Sequence, residues 1–266
     1  MKISVVMPNY NGARFLRGAM DSVIGQRDAG VDLEFIVVDG ASTDGSLDII
    51  KSYGNQVDSL VSEPDRGPAH AINKGLQAAT GDVLAWLNSD DRYYPNTLQR
   101  VEDAFGARPD AALVFGRCPI IDEEGREIRL PITRFKELFF PWNSRFMIQS
   151  INYVSQPATF FRRSAFTQAG PLREDLCAAW DYDFTLRLWR YGGGYPVPDT
   201  PLADFRWHAS SISGSEFSTQ FREEYEAAVK DAGRFSPQAF LHWFVRWGIV
   251  GAYHGLRWIR LRDRKG

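Results

Sequence analysis

The chain has 266 residues, 44% of them hydrophobic, with 31 Lys and Arg against 33 Asp and Glu. A net charge of −2 gives the whole molecule no bias toward nucleic acid, and two cysteines, Cys118 and Cys177, do not make a disulfide framework. The expectation is a cytoplasmic protein of one large domain, or one domain with an appendage. Ile3 to Met7, ahead of Pro8-Asn9, is too short for a signal peptide's apolar region or a membrane span.

Ile3-Ser4-Val5-Val6-Met7 predicts a strand ended by Pro8, with a turn at Asn9-Tyr10-Asn11-Gly12. Phe15, Leu16, Ala19, Met20, Val23 and Ile24 then recur at helical spacing, which predicts a helix from about Ala13 to Gln26. Glu34 to Val38 is the second strand and runs into Asp39-Gly40-Ala41-Ser42-Thr43-Asp44-Gly45, before a helix from about Ser46. Asp58 to Ser62 is a weaker third strand, followed by Glu63-Pro64-Asp65-Arg66-Gly67-Pro68 and a helix carrying Ala71, Ile72, Leu76 and Ala79. The fourth strand is the continuous apolar run Val83 to Leu87, leading into Asn88-Ser89-Asp90-Asp91. A short run without alternation is the mark of a strand buried on both faces.

Four β–α alternations imply a parallel sheet with right-handed crossovers. Each polar cluster follows a strand, so the four converge on the carboxyl edge, where open α/β sheets bind ligands. Neither Gly-x-Gly-x-x-Gly nor Gly-Lys-Ser/Thr is present after the first strand, which argues against dinucleotide oxidoreductases and P-loop enzymes. Without a glycine cradle, a divalent metal is the natural means of neutralising a diphosphate, and the adjacent acids Asp90 and Asp91 suit one. Their alternative role is an N-cap for the helix after Pro95.

Downstream, a helix from Pro95 to Phe105 precedes a strand from Ala111 to Phe115 and a hairpin from Cys118 to Arg129 turning at Asp122-Glu123-Glu124-Gly125. Thr133 to Tyr153 is rich in aromatics and has no clear period, so no element is assigned; such a region beside an active site can shape an acceptor pocket. Gln156 to Arg162 reads as a strand, Trp180-Asp181-Tyr182-Asp183 opens a helix, and Leu202 to Trp207 is a strand leading to His208.

These motifs together resemble the nucleotide-sugar-dependent glycosyltransferases of family 2, which have the GT-A fold. The matching stretches are Val5-Val6-Met7-Pro8-Asn9-Tyr10-Asn11, Val37 to Gly45, Asn73-Lys74-Gly75, Gly81-Asp82 through Leu87-Asn88-Ser89-Asp90-Asp91, Trp180-Asp181-Tyr182-Asp183 with Arg187, and Phe205-Arg206-Trp207-His208. Each is weak alone; in this order over residues 3 to 213 they are highly specific.

The resemblance implies an α/β fold, Rossmann-like, with a mixed, mostly parallel sheet flanked by helices. Residues 1–215 would form the GT-A domain, with 1–115 binding the nucleotide sugar and 116–215 on the acceptor side; residues 216–266 would be a helical appendage. Pro8, Asn9, Tyr10 and Asp39 would hold the nucleoside, Asp39 accepting the imide proton of uracil or thymine, which favours UDP or dTDP donors. Asp65 and Lys74 fall on the base and ribose side. In the family's Asp-x-Asp metal motif the first position is here Asn88, so Asp90 becomes the principal ligand for Mn²⁺ or Mg²⁺. His208 matches a position that completes the metal site or touches the diphosphate. Asn88 and Ser89 join the donor-binding set, with Asn88 and Asp91 free to hydrogen-bond ribose, phosphate or the loop itself.

Asp181 aligns with the aspartate of the family's Glu-Asp motif, the catalytic base, with Trp180 in place of the glutamate. It would deprotonate an acceptor hydroxyl that attacks the anomeric carbon, inverting the configuration. Asp183 competes for this role, but the two acids cannot share one helical face, so only one should reach the acceptor. Arg187 is read as a structural partner of one of them.

After Gly233, Ser236-Pro237 is a helix start. The sequence that follows is dense in Phe240, Trp243, Phe244, Trp247, Tyr253 and Trp258, with Arg246, Arg257, Arg260, Arg262, Arg264 and Lys265 opposed only by Asp263. It fits a helix lying in the headgroup region of an anionic membrane, or one packed on the domain or a second subunit. The expected function is an inverting, metal-dependent glycosyltransferase acting on a glycan or lipid-linked acceptor in cell-surface polysaccharide synthesis. Its location would be cytoplasmic, at the inner face of the membrane, with a homo-oligomer left open and no nucleic-acid partner. The alternatives are a catalytically inactive nucleotide-sugar-binding or scaffolding protein of the same fold, and a sugar nucleotidylyltransferase; Asn9-Tyr10-Asn11-Gly12 is not the basic glycine-rich loop the latter needs.

Overall fold

The computed structural model describes residues 1–197, 200–208, 217–245 and 247. Strands β1 (Ile3–Asn9), β2 (Leu33–Asp39), β3 (Ser59–Ser62) and β4 (Val83–Trp86) alternate with helices α1 (Ala13–Ile24), α2 (Ser46–Ser52) and α3 (Pro68–Ala78). All seven residues of β1 are buried, because β1 lies between β2 and β4 and pairs with both in parallel. Helix α1 turns Leu16, Ala19, Met20 and Val23 inward, as its 3.6-residue period requires.

The chain continues through β5 (Arg92–Tyr93), α4 (Thr97–Ala107), β6 (Leu113–Gly116) and the hairpin β7 (Ile120–Ile121) and β8 (Glu127–Ile128). Then come α5 (Leu130–Glu137), α6 (Arg145–Ser150), β9 (Thr159–Arg162), α7 (Arg163–Ala169), α8 (Trp180–Leu188), β10 (Gly194–Val197), β11 (Ala203–Arg206) and α9 (Phe217–Ala232). The main sheet has the order β10-β6-β9-β4-β1-β2-β3. Only β9 opposes the common direction, pairing antiparallel with both β4 and β6, so the sheet is mixed and mostly parallel, as expected. Apolar cores cover its two faces, one built on Val6, Trp86 and Phe161, the other on Val5, Met7 and Ala85.

Two features of the packing position the site. A Cβ at Gly75 would fall inside the closest carbon–carbon approach to Val6, so glycine lets α3 lie directly on β1. A second sheet, β5-β11-β7-β8, pairs Asp204 with Arg92. That register carries the end of β11, and His208 after it, to the loop that follows β4.

Several elements differ from the sequence reading. The expected strand from Gln156 begins as a 3₁₀ turn, Gln156–Ala158. The unassigned stretch from Thr133 to Tyr153 holds the end of α5 and all of α6, with a 3₁₀ turn at Phe140–Trp142 between them. Its aromatics have no single period because the elements are short and Phe115, Phe140 and Tyr153 meet ring against ring. Helix α4 starts at Thr97 behind Asn96, which is in the left-handed region at φ 59°; neither Asp90 nor Asp91 caps it.

Helix α9 sends Ala227 and Ala228 into the same core as Trp86 and Trp180. Residues 237–245 are helical, and Ser236 Oγ accepts the N–H of Ala239 at 3.1 Å, as the Ser-Pro start implied. Arg246, Arg257, Arg260, Arg262, Arg264, Lys265, Tyr253 and Trp258 lie outside the described residues. No helix among the described residues is long and apolar enough to cross a membrane.

Candidate active site

The parallel register sets Asn9 at the end of β1 beside Asp39 at the end of β2. Asp39 is fully buried. Its Oδ1 accepts from Asn9 Nδ2 at 2.8 Å and Ser42 Oγ at 2.6 Å, and its Oδ2 from Ser42 N at 3.1 Å and Ser62 Oγ at 3.0 Å. Burial opposes ionisation, but these donors, Ser42 and Asn9 foremost, outweigh it and hold the carboxyl below its ordinary range. All four lone-pair positions of the carboxylate are taken, so an incoming imide N–H would have to displace a serine hydroxyl. Beside it, the buried Asn9 Oδ1 has no hydrogen-bond partner among the described residues.

Pro8 is buried inside β1, whereas the Tyr10 ring is 68% exposed. A Cβ on Gly40 would meet Tyr10 Cδ2 at 3.3 Å and Asp65 Cγ at 3.1 Å, so the bare Gly40 backbone lets the Tyr10 ring and the Asp65 carboxylate both lie against it. Asp65 Oδ1 also accepts the N–H of Gly67 at 2.8 Å. Lys74 reaches from α3 to Glu63 at 2.8 Å and the Pro64 carbonyl at 3.3 Å, which ties it to the loop after β3. A Cβ on Gly12 would meet Asn9 Oδ1 at 2.5 Å and Ser89 Oγ at 2.6 Å; the loops after β1 and β4 therefore touch there.

The loop after β4 separates its two acids. Asp90 Oδ2 lies 2.9 Å from His208 Nε2, both partly exposed, and the His208 ring packs against Phe15 with centroids 5.5 Å apart. Asp91 points the other way and is fully buried. Its Oδ1 accepts the N–H of Arg206 at 2.8 Å and its Oδ2 accepts from Asn88 Nδ2 at 3.1 Å. Burial first, and the charge of Asp90 second, push the Asp91 carboxyl well above its ordinary range. Arg206 fastens the arrangement: its Nε donates to the Asp90 carbonyl at 2.9 Å and its Nη1 to the Asp122 carbonyl at 2.8 Å. Asn88 also donates to Gln156 Oε1 at 3.3 Å, so its side chain is held within the loop.

Among the described residues no three His, Cys, Asp or Glu side chains gather at one point. Asp90 and His208 offer one carboxylate and one imidazole, a donor pair that would suit a divalent metal ion.

Trp180, the first residue of α8, packs on Trp86, the last of β4, with ring centroids 5.9 Å apart. Asp181 follows in the first turn. Burial, then the neighbouring Glu224 carboxylate, raise its pKa to about 6, while the Tyr182 N–H and Lys136 act against them. Asp183 is engaged elsewhere: Arg187 Nε donates to its Oδ2 at 2.8 Å and Arg173 lies 3.6 Å from its Oδ1. Arg187 is therefore the structural partner anticipated, and its acid is Asp183. Helix α8 has no side-chain N-cap of its own. Instead the buried Glu223 of α9 accepts the N–H groups of Cys177, Ala178 and Ala179. Glu223 and Glu224 were not singled out from the sequence, because nothing local marks contacts made over more than forty residues.

The glycosyl transferase family 2 profile matches residues 4–170. The chain belongs to glycosyl transferase family 2. Within it, the chain is 38% identical over 230 residues to an uncharacterized glycosyltransferase of Nostoc sp., covering 84% of this chain and 70% of that one. It is 31% identical over 189 residues to a PGL/p-HBAD biosynthesis glycosyltransferase of Mycobacterium tuberculosis, covering 68% of this chain and 67% of the relative. An uncharacterized glycosyltransferase of Rickettsia conorii is 27% identical, and there the match spans only 36% of the longer chain. In solved structures the fold matches S. aureus TarS residues 1–349 in complex with UDP-GlcNAc, at TM-score 0.68 and 18% identity over 91% of this chain and 69% of that one. It also matches a Pyrobaculum calidifontis mannosyltransferase in complex with GDP-Man and Mn²⁺, at TM-score 0.64 and 18% identity over 96% and 79% of the two chains. This family 2 glycosyltransferase therefore has the GT-A fold.

Proposed function

We propose that this glycosyltransferase is inverting and metal-dependent, and moves a sugar from a UDP or dTDP donor to a hydroxyl of a glycan or lipid-linked acceptor in cell-surface polysaccharide synthesis. One observation carries the reading: the loop after β4 presents the Asp90–His208 pair, while α8, stacked on the end of that same strand, brings Asp181. Two different chemistries are thereby assigned to one strand end.

In this reading residues 1–115 bind the donor and 116–215 face the acceptor. Tyr10 stacks on the base, Asp39 accepts its imide N–H once a serine hydroxyl is displaced, and Asn9, Asp65, Lys74, Asn88 and Ser89 line the donor side. Asp90 and His208 would hold Mn²⁺ or Mg²⁺, which would supply positive charge for the departing diphosphate. Asp181, ionised above about pH 6, accepts the proton of the attacking hydroxyl, and its raised basicity suits that task near neutrality. Attack from the face opposite the diphosphate inverts the anomeric carbon. A lipid-linked acceptor would place the reaction at the cytoplasmic face of the membrane. The UDP-GlcNAc held by TarS and the Mn²⁺ held by the archaeal mannosyltransferase support the reading.

Calorimetry of UDP, dTDP and GDP with and without Mn²⁺ tests it. Metal-dependent binding of UDP or dTDP, lost in Asp90→Ala, is the expected result. Preference for GDP would overturn the assignment of Asp39, and binding indifferent to metal would overturn that of Asp90.

A further inference from the structure

Residues 237–245 and 247 are helical, and this segment has two unlike faces. On one, Ala239 and His242 are buried. His242 Nδ1 lies 3.2 Å from the Gln149 carbonyl and 3.5 Å from Tyr182 Oη, and Gln238 Nε2 donates to Gln149 Oε1 at 3.3 Å. The helix is therefore already seated on α6 and α8. On the other face, Phe240, Trp243, Phe244 and Trp247 remain 69%, 43%, 65% and 54% exposed. Their i, i+3, i+4, i+7 spacing makes one continuous stripe, with Trp243 in ring contact with both Phe240 and Trp247.

We infer that this aromatic stripe is a docking face for an anionic lipid surface. The sequence that adjoins it decides the occupant. From Arg246 to the last residue it carries Arg246, Arg257, Arg260, Arg262, Arg264 and Lys265 against Asp263 alone. A stripe of Trp and Phe followed by concentrated positive charge complements a headgroup layer of acidic phospholipid, where indole and phenyl rings reside. The seated face fixes the helix to α6 and α8, so a membrane bound to the stripe is one helix layer away from α8, which carries Asp181. The inference stands apart from the transferase reading, since lipid binding requires neither donor nor metal.

The test is flotation of the full chain with phosphatidylglycerol–phosphatidylcholine vesicles and with phosphatidylcholine vesicles alone, for wild type and for Phe240→Ser/Trp243→Ser/Phe244→Ser/Trp247→Ser. Wild type is expected to float with the anionic vesicles, to detach when salt screens the charges, and to partition at least about tenfold better than the quadruple variant. The single variant Trp243→Glu, on an exposed position, should weaken partition in the same direction. A UDP thermal shift on each variant reports the donor pocket separately. Equal partition of wild type and quadruple variant would overturn the inference. So would a wild-type dimer, seen by sedimentation, that the quadruple variant abolishes while vesicles bind neither.

Discussion

The Glu223 carboxylate accepts the backbone N–H of Ala179 at 3.0 Å, two residues before Asp181. It takes the N–H groups of Cys177 and Ala178 as well, and so serves as the N-terminal cap that α8 lacks locally. Burial works against its ionisation, but these backbone donors win and keep its carboxyl below the ordinary range. Glu223→Ala leaves buried donors unpaired and should cost about 2–4 kcal/mol in chemical denaturation. Glu223→Gln keeps an acceptor oxygen and should cost about half as much. In the folded Gln variant kcat should fall while KM for the donor holds, because the donor cleft rests on β1 and β2. A shared fall in donor affinity would mean that Glu223 supports the whole fold rather than the placement of Asp181.

With Asp181 as the proposed base, its carboxyl sets the expected pH profile. Its pKa is raised to about 6 from 3.8, and the proton-accepting form is the ionised one, so kcat/KM should fall about tenfold per unit below pH 6. Glu224→Gln removes the charge that helps to raise it and should move this acid limb to lower pH. The stability sign is opposite: the folded state holds the Asp181 proton more tightly than the unfolded chain, so this contribution is present below pH 3.8 and is lost as pH rises through about 6. Asp181→Asn should lower turnover by about two to four orders of magnitude with UDP binding intact. An Asp181→Asn enzyme near wild-type rate would remove Asp181 from the chemistry.

The neighbouring acids of the β4 loop should respond differently to substitution. Asp90→Ala should abolish Mn²⁺-dependent UDP binding in calorimetry and lower kcat/KM about a hundredfold or more, with thermal stability little changed. His208→Ala should weaken the Mn²⁺ dependence in the same direction. Retained Mn²⁺-enhanced binding in both variants would dismiss the pair as a metal site.

Asp91 is buried, burial and the charge of Asp90 push its carboxyl well above the ordinary range, and its two oxygens accept from the Arg206 N–H and from Asn88 Nδ2. Asp91→Asn keeps an oxygen for the Arg206 N–H but sets its NH2 against Asn88 Nδ2 and should cost about 1–2 kcal/mol, whereas Asp91→Ala, which removes both acceptor oxygens, should cost about 3 kcal/mol. Thermal melts of the two variants check this. The raised pKa also means that stability from Asp91 diminishes as pH rises through its folded-state value. Equal destabilisation by both substitutions would show that the negative charge is what the site uses.

The amino-acid sequence by itself determined the first half of the sheet and the acids at its edge. Strands β1, β2 and β4 are short apolar runs; Asn9 and Asp39 end the first two and Asp90 follows the third by four residues, so period and punctuation suffice to place them. It also separated Asp181 from Asp183, since neighbours two apart on a helix face different ways. Which of the two was sequestered is partly local, since Arg187 stands four residues after Asp183 on the same helix; the second cation, Arg173, is brought to Asp183 only by the fold, from the loop before α8. The same holds for the reversed strand β9, whose run of Thr159–Arg162 reads alike in either direction, and for the opposite fates of Asp90 and Asp91. Those depend on β11 arriving beside β5 with His208 and Arg206. Glu223 lies 44 positions from Ala179. Caps and charges supplied across such distances leave no periodicity in the chain, and only the packed fold creates them.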